Sequence, residues 1–404
     1  MSPTLSAALE GLGKIAFIWG VVLAAMLPNL IWMERRVAGL IQDRPGPNRV
    51  GPFGLFQALA DVLKMFMKED VVPIYADRLL HTLAPFILLV PSMAAFAVIP
   101  FGSKLPLFGR EIPLVVADVN IGILYVFALA SVGVYGLVLA GWASNNKFAL
   151  MGGIRSSAQV ISYELSMGLA AIATLMAAGS LRLTRVVEYQ ANGTFLGFLP
   201  LWNCFTQPLG CVIFIIAAFA ETNRVPFDLP EAEAELVAGY HTEYSGFRFG
   251  AFFMAEYLNL VASSMMMATL YFGGWSFPFL PHAGLAGGLL SIVVFFAKTM
   301  CFIFLFMWVR WTLPRFRFDQ LMNLAWRGMI PVSLAGLLIT AFIVYLEYQI
   351  KLQHGALYIL GGNIILFLII LAVLSRRPPK SSNRRIPVPT SRYNPQFRTM
   401  AVET

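Results

Sequence analysis

Charged side chains are scarce in this sequence. Only 12% of its 404 residues are Asp, Glu, Lys or Arg, about half the share that a soluble globular protein carries. So few charges cannot coat a water-facing surface, which excludes a soluble fold. Disorder is excluded as well, because 58% of the residues are hydrophobic and mean hydropathy is +0.72. Cysteine is nearly absent. Cys204, Cys211 and Cys301 are too few and too scattered for an iron–sulfur cluster or a structural zinc site, and no CxxC occurs. A Cys204–Cys211 disulfide is the one pairing left open. The four histidines, His81, His241, His282 and His354, fall at the ends of apolar runs or between them, so a bis-histidine haem inside a helix bundle is excluded. The first residues lack a basic n-region and a small-residue cleavage site, so the first apolar run reads as a retained helix.

What the sequence has is long apolar runs. Crossing a bilayer takes about 20 residues of helix. Nine runs fit, at about 14–33, 82–101, 119–141, 158–179, 200–221, 249–272, 287–309, 330–349 and 356–374. The expectation is an all-α, polytopic membrane helix bundle forming a single domain over 1–374. A basic, Pro- and Ser-rich tail occupies 375–404. Of the 29 Lys and Arg residues, 22 fall on alternate loops and in that tail. The positive-inside rule then places the N-terminus outside and the long loops and C-terminus in the cytoplasm. The net charge of +8 is therefore a mark of membrane orientation rather than of nucleic-acid binding. Residues 53–70 do not read as a span. Leu55, Phe56, Leu59, Val62, Leu63, Phe66 and Met67 form one apolar stripe at helical spacing, with Gln57, Asp61, Lys64 and Lys68 on the other face. Such a helix suits the cytoplasmic membrane interface.

Ionisable residues inside a bilayer cost at least about 2.5–3.5 kcal/mol each and call for a reason. Glu164, Glu221 and Glu256 fall at comparable depth in the fourth, fifth and sixth runs, and Lys298 interrupts the seventh. Each glutamate could pair structurally with Lys298 or Arg224. Three at one depth, with Lys298 able to serve only one, favour proton or ion handling. The loop at 222–248 is denser still: Asp228, Glu231, Glu233, Glu235 and Glu243 lie within 16 residues. Helix capping explains Glu231 and Glu233 at most, and Glu231 and Glu235 at i, i+4 repel as like charges. Proton binding or docking to a basic surface are the alternatives. In the first long loop, Arg35, Arg36, Arg44 and Arg49 alternate with Pro45, Pro47, Pro52 and several glycines, which sets a fixed, non-helical course.

Glu221-Thr222-Asn223-Arg224-Val225-Pro226-Phe227-Asp228-Leu229, followed by Glu231, Glu233, Glu235 and Leu236, resembles the signature of the H subunits of bacterial NADH:quinone oxidoreductases (respiratory complex I). The mitochondrial counterpart is subunit 1. Met33–Arg36, Gly46–Asn48 with Gly51 and Pro52, Gly141–Asn146, and Pro314–Met322 agree. The resemblance covers about 10–350. It implies a membrane subunit that forms most of the quinone chamber and couples quinone reduction to proton translocation, with no catalytic residue, metal ligand or redox centre of its own. The substrate is a quinone, ubiquinone or menaquinone, while NADH, FMN and the iron–sulfur clusters belong to partner subunits. Those partners are peripheral-arm quinone-site and iron–sulfur subunits and small and antiporter-like membrane subunits, in the bacterial inner membrane. Carried over by motif, Glu221, Glu231, Glu233 and Glu235 are the acidic stretch of the relay, with Glu164 and Glu256 beside it. Arg35, Arg44, Asp61, Phe227, Asp228 and Arg224 belong to the quinone chamber, and Arg310 and Arg315 to the contact with the peripheral arm. The rival readings are the homologous membrane component of a membrane-bound hydrogenase or ferredoxin-linked complex and, in another class, a free-standing transporter.

Overall fold

The computed structural model describes residues 3–107, 110–195, 199–228, 239–278, 284–350 and 355–375. The expectations for Glu231, Glu233, Glu235, His282, His354 and the tail beyond 375 lie outside these. Residues 1–363 form one compact unit. The second unit runs from 364, and its described part is the end of the last helix.

In chain order the helices are α1 (Pro3–Trp19), α2 (Leu27–Ile41), α3 (Gln57–Met67), α4 (Arg78–Ala94), α5 (Gly122–Ala143), α6 (Lys147–Ala178), α7 (Leu183–Asn192) and α8 (Asn203–Thr206). They continue as α9 (Pro208–Glu221), α10 (Gly246–Tyr271), α11 (Gly284–Thr312), α12 (Phe318–Asn323), α13 (Ile330–Ile350) and α14 (Gly355–Ser375). Two small antiparallel hairpins, β1 (Lys104–Leu107) with β2 (Arg110–Pro113) and β3 (Thr194–Phe195) with β4 (Leu199–Pro200), are the strands among the described residues. The fold is an all-α polytopic bundle.

Among the described residues, eight helices are long and apolar enough to cross a membrane; the ninth expected span is not. Of the 200–221 run, only Pro208–Glu221 is one long helix. Pro200 sits in a hairpin, α8 is a single turn, and Gln207 breaks the chain with extended φ before Pro208 starts α9. Proline opens a helix readily but cannot continue one. Elsewhere helices outrun their apolar stretch. The first span continues to Ile41 and the fourth starts at Lys147, so Glu34 and Arg35, expected in a loop, are helical. In two spans a wider π-helical turn, Gly20–Met26 and Leu324–Met329, lies just ahead of a proline, Pro28 and Pro331. Each proline removes a backbone donor, and the wide turn absorbs the misfit.

The central helix is α10, buried without a break from Leu260 to Tyr271. It packs against α4 and α11, while α5 bridges α4 and α6. Small residues permit this closeness. A Cβ on Gly136 of α5 would lie 2.9 Å from the Ala84 carbonyl oxygen of α4, the kind of approach membrane helices use. The amphipathic segment folds as α3, shorter than 53–70, after a turn at Pro52–Gly54. Its Leu59, Val62, Leu63, Phe66 and Met67 are exposed.

Candidate functional site

Glu221 ends α9, and the backbone then turns sharply through Asn223, whose φ is +47°, a conformation asparagine tolerates better than most residues. Gln159 of α6 pins this turn: its side-chain amide donates to the carbonyls of Ala220 (3.0 Å) and Phe227 (2.8 Å). Asn223 donates to Ser156 Oγ at 3.2 Å. Phe227, edge-on to Tyr163 with ring centroids 5.4 Å apart, fills the space behind. The result is a rigid elbow that points Arg224 into the protein, where it is buried.

Arg224 meets three groups there. Its Nη1 donates to Glu34 Oε1 of α2 at 2.7 Å. Its Nε lies 2.8 Å from Glu256 Oε1 of α10, an ion pair rather than an aligned hydrogen bond. Its guanidinium lies 4.4 Å above the Tyr257 ring, and the Tyr257 hydroxyl donates to Glu34 Oε2 at 2.8 Å. Arg310 of α11 also donates to Glu34, and Arg315 pairs with Asp228 at 2.9 Å. Buried charges survive only when paired and hydrogen-bonded. Here carboxylates and guanidinium groups alternate.

These residues border a cavity of about 450 Å³. Arg224, Asp228, Glu256, Arg310 and Arg315 supply its charges, and Phe249, Phe252, Phe253 and Trp311 its flat apolar surfaces. His241 lines it too, and burial depresses its imidazole pKa to about 4. Glu256 also borders a 30 Å³ cavity shared with Glu221. Glu221 in turn borders a third, of 40 Å³, which Ser263 also lines. Each is large enough to hold water. Glu164 of α6 accepts from Ser131 of α5 at 2.5 Å and is close enough to Glu221 for their charges to interact. A series of acidic groups thus runs from the large cavity past Glu256 and Glu221 to Glu164.

Of the candidates read from the sequence, this arrangement gathers Glu164, Glu221, Glu256, Arg224, Asp228, Arg310 and Arg315. It does not gather Arg35, Asp61 or Arg44. Arg35 and Asp61 pair with each other and tie α2 to α3, and Arg44 binds Gln42. Among the described residues, Lys298 pairs with no glutamate. Its Nζ donates to the carbonyls of Phe272 (2.6 Å), Gly274 (3.0 Å) and Ser276 (2.6 Å), completing the end of α10. Cys204 and Cys211 are free thiols. The sequence reading missed Glu34 as a site residue, along with Tyr257 and Gln159. A signal existed: Glu34 falls in register with the buried Leu27, Leu30 and Ala38, at the three- and four-residue steps of a helix's inner face.

The other matched motifs have structural work. Asn146 caps α6 by accepting from Phe148 N–H, and donates to Glu243 at 2.7 Å. Gln320 accepts from Arg317 N–H, and Phe316 N–H donates to the Pro226 carbonyl, which ties 314–322 to the Arg224 elbow.

Comparison with known proteins places these features in a family. The NADH dehydrogenase family profile matches residues 13–341. An H subunit of NADH-quinone oxidoreductase from Geobacter metallireducens is 52% identical over 336 residues, covering 83% of this chain and 97% of the relative. The H subunit from Salinibacter ruber is 49% identical over 344 residues, covering 83% and 96%. NADH-quinone oxidoreductase subunit 8 of Rhodothermus marinus is 49% identical over 344 residues, covering 82% and 97%.

Proposed function

Since the chain belongs to the NADH dehydrogenase family, among the H subunits of NADH-quinone oxidoreductase, we propose that it houses the quinone and passes the energy of its reduction to membrane carboxylates. The observation that carries this reading is the continuity from the 450 Å³ cavity through Glu256 to Glu221, which border a shared second cavity. Arginines beside aromatic surfaces suit a quinone, whose carbonyls accept hydrogen bonds and whose ring and tail are apolar. Metal-binding clusters of His, Cys, Asp or Glu are absent among the described residues, and electrons arrive from clusters in partner subunits. Reduction of the quinone takes two electrons and two protons. The charge change at the cavity acts on Arg224 and Arg310, and the carboxylates beyond respond by shifting protons. By the matched motif, Glu231, Glu233 and Glu235, which follow Asp228 in the sequence, belong to the same relay.

The asymmetry of Lys and Arg supports a periplasmic N-terminus and charged loops in the bacterial cytoplasm, facing the peripheral-arm subunits. Antiporter-like membrane subunits continue the proton path, and α3 lies at the interface. The relatives' names favour this reading over a hydrogenase-linked complex.

The test is Glu221→Gln in the assembled enzyme, reconstituted in liposomes. Protons translocated per electron should fall by half or more, while NADH oxidation by an artificial acceptor stays at the wild-type level. A normal proton-to-electron ratio would remove Glu221 from the relay.

A further inference from the structure

Arg310, Glu34, Arg224 and Glu256 form an alternating chain in which each inner member serves two partners. Glu34 Oε1 accepts from both Arg224 and Arg310, and Arg224 divides its charge between Glu34 and Glu256. The chain is unsymmetrical in two ways. Arg310, its outer member, is about one-third exposed at the large cavity, while the Arg224 and Glu34 side chains are 3% and 5% exposed. Arg224 makes an aligned hydrogen bond to Glu34 but only an ion pair to Glu256. Glu34 is held from a third side by Tyr257, whose ring also lies beneath Arg224. That ring face lets the guanidinium shift between the two carboxylates without leaving a cationic contact.

We propose that Glu34 is the positioning residue that links occupancy of the large cavity to the relay. This rests on the reading of that cavity as the quinone site. An electron-rich oxygen in the cavity recruits Arg310, the accessible guanidinium, because a charge-assisted bond to it is stronger than a neutral one. Glu34, now short of one donor, draws Arg224 more fully to itself. The ion pair between Arg224 and Glu256 loosens, and Glu256 faces Glu221 across their shared cavity with its negative charge less compensated. The charged and titratable groups around Glu34 are Arg224, Arg310 and Tyr257, and those around Glu256 add Asp228. Glu34 moves no proton. It transmits a change in pairing, and any group that occupies the cavity through Arg310 is read by Glu256 in the same way.

The test is Glu34→Gln in the intact, reconstituted complex, beside Glu34→Asp. The amide keeps the size and can still accept from Tyr257, but it no longer competes for Arg224. Expected are slower quinone reduction and a proton-to-electron ratio at least twofold below wild type, with the ratio recovered in Glu34→Asp. A spacer role would be indifferent to charge, so a wild-type ratio in Glu34→Gln overturns the proposal. So does equal loss of the ratio in Glu34→Gln and Glu34→Asp. Should Glu34→Gln not assemble, Arg310→Gln permanently reproduces the recruited state and should lower the ratio; a wild-type ratio there overturns the proposal independently. Bound quinone, extracted from each purified complex, separates the two layers. A quinone content left at the wild-type level by Arg310→Gln and Asp228→Asn together contradicts the quinone-site reading itself, whatever the ratio shows.

Discussion

Arg224 is the residue on which the site depends most. It is buried, and both Glu34 and Glu256 rely on it. Removing one partner from a buried ion pair costs about 3–5 kcal/mol because the other charge is left uncompensated. Arg224→Met should therefore lower the thermal inactivation temperature of the complex and its assembled yield. Arg224→Lys, which keeps the charge but not the guanidinium's reach to both carboxylates, should do less. His241 gives a prediction in pH. Its folded pKa is depressed to about 4 against about 6.5 for a free imidazole. Above the free value both states are neutral and pH changes nothing. As pH falls through 6.5 the unfolded chain takes up a proton that the folded site refuses, so stability is lost, by about 3 kcal/mol when pH nears 4. His241→Phe should flatten the fall of melting temperature between about pH 6.5 and 4.5. At this scale the sequence told much. Arg224 stood out as a partner for the glutamates because it follows the end of an apolar run. Glu34 did not, since the apolar run stops at Met33 while the helix goes on to Ile41.

At the scale of elements, the spans were legible because apolar length is a direct demand of the bilayer. Their ends were not. A helix enclosed by protein can continue through polar residues, as α6 does from Lys147, once its backbone groups are satisfied. The short α9 was hidden for the opposite reason. Leu199, Leu201 and Trp202 read as apolar, but Pro200 and Pro208 divide the run. The Gly239–Tyr240 segment beside the cavity depends on the close approach of Gly152 in α6, where a Cβ would lie 2.7 Å from backbone atoms of Gly239 and 2.8 Å from Tyr240 N. Backbone cannot yield as a flexible side chain does. Gly152→Ala should displace the Tyr240–His241 segment from the cavity and raise the quinone concentration needed for half-maximal rate several-fold. Unchanged quinone kinetics would show that this contact is dispensable.

The whole molecule turns apolar side chains outward, including the α3 face from Leu59 to Met67, as a protein solvated by lipid must. Its proposed orientation has a direct check. Single cysteines at Glu111 and Lys147, both exposed and lying beyond opposite ends of α5, should react with a membrane-impermeant maleimide from opposite faces: Glu111→Cys in intact cells, Lys147→Cys only in inverted vesicles. The reverse pattern would invert the topology. With 14 residues, α9 is about 21 Å long, well short of the roughly 30 Å hydrocarbon layer, and it carries Glu221 at its end. Lipid alone is a poor host for such a segment when it leaves the insertion machinery. The helices that pack against it include α6, made before it, and α10, made after it, so its protein shield cannot be complete before α10 is synthesised. The carboxylate at the centre of the acidic series therefore depends for its place on a helix that has yet to be made when α9 first leaves the ribosome.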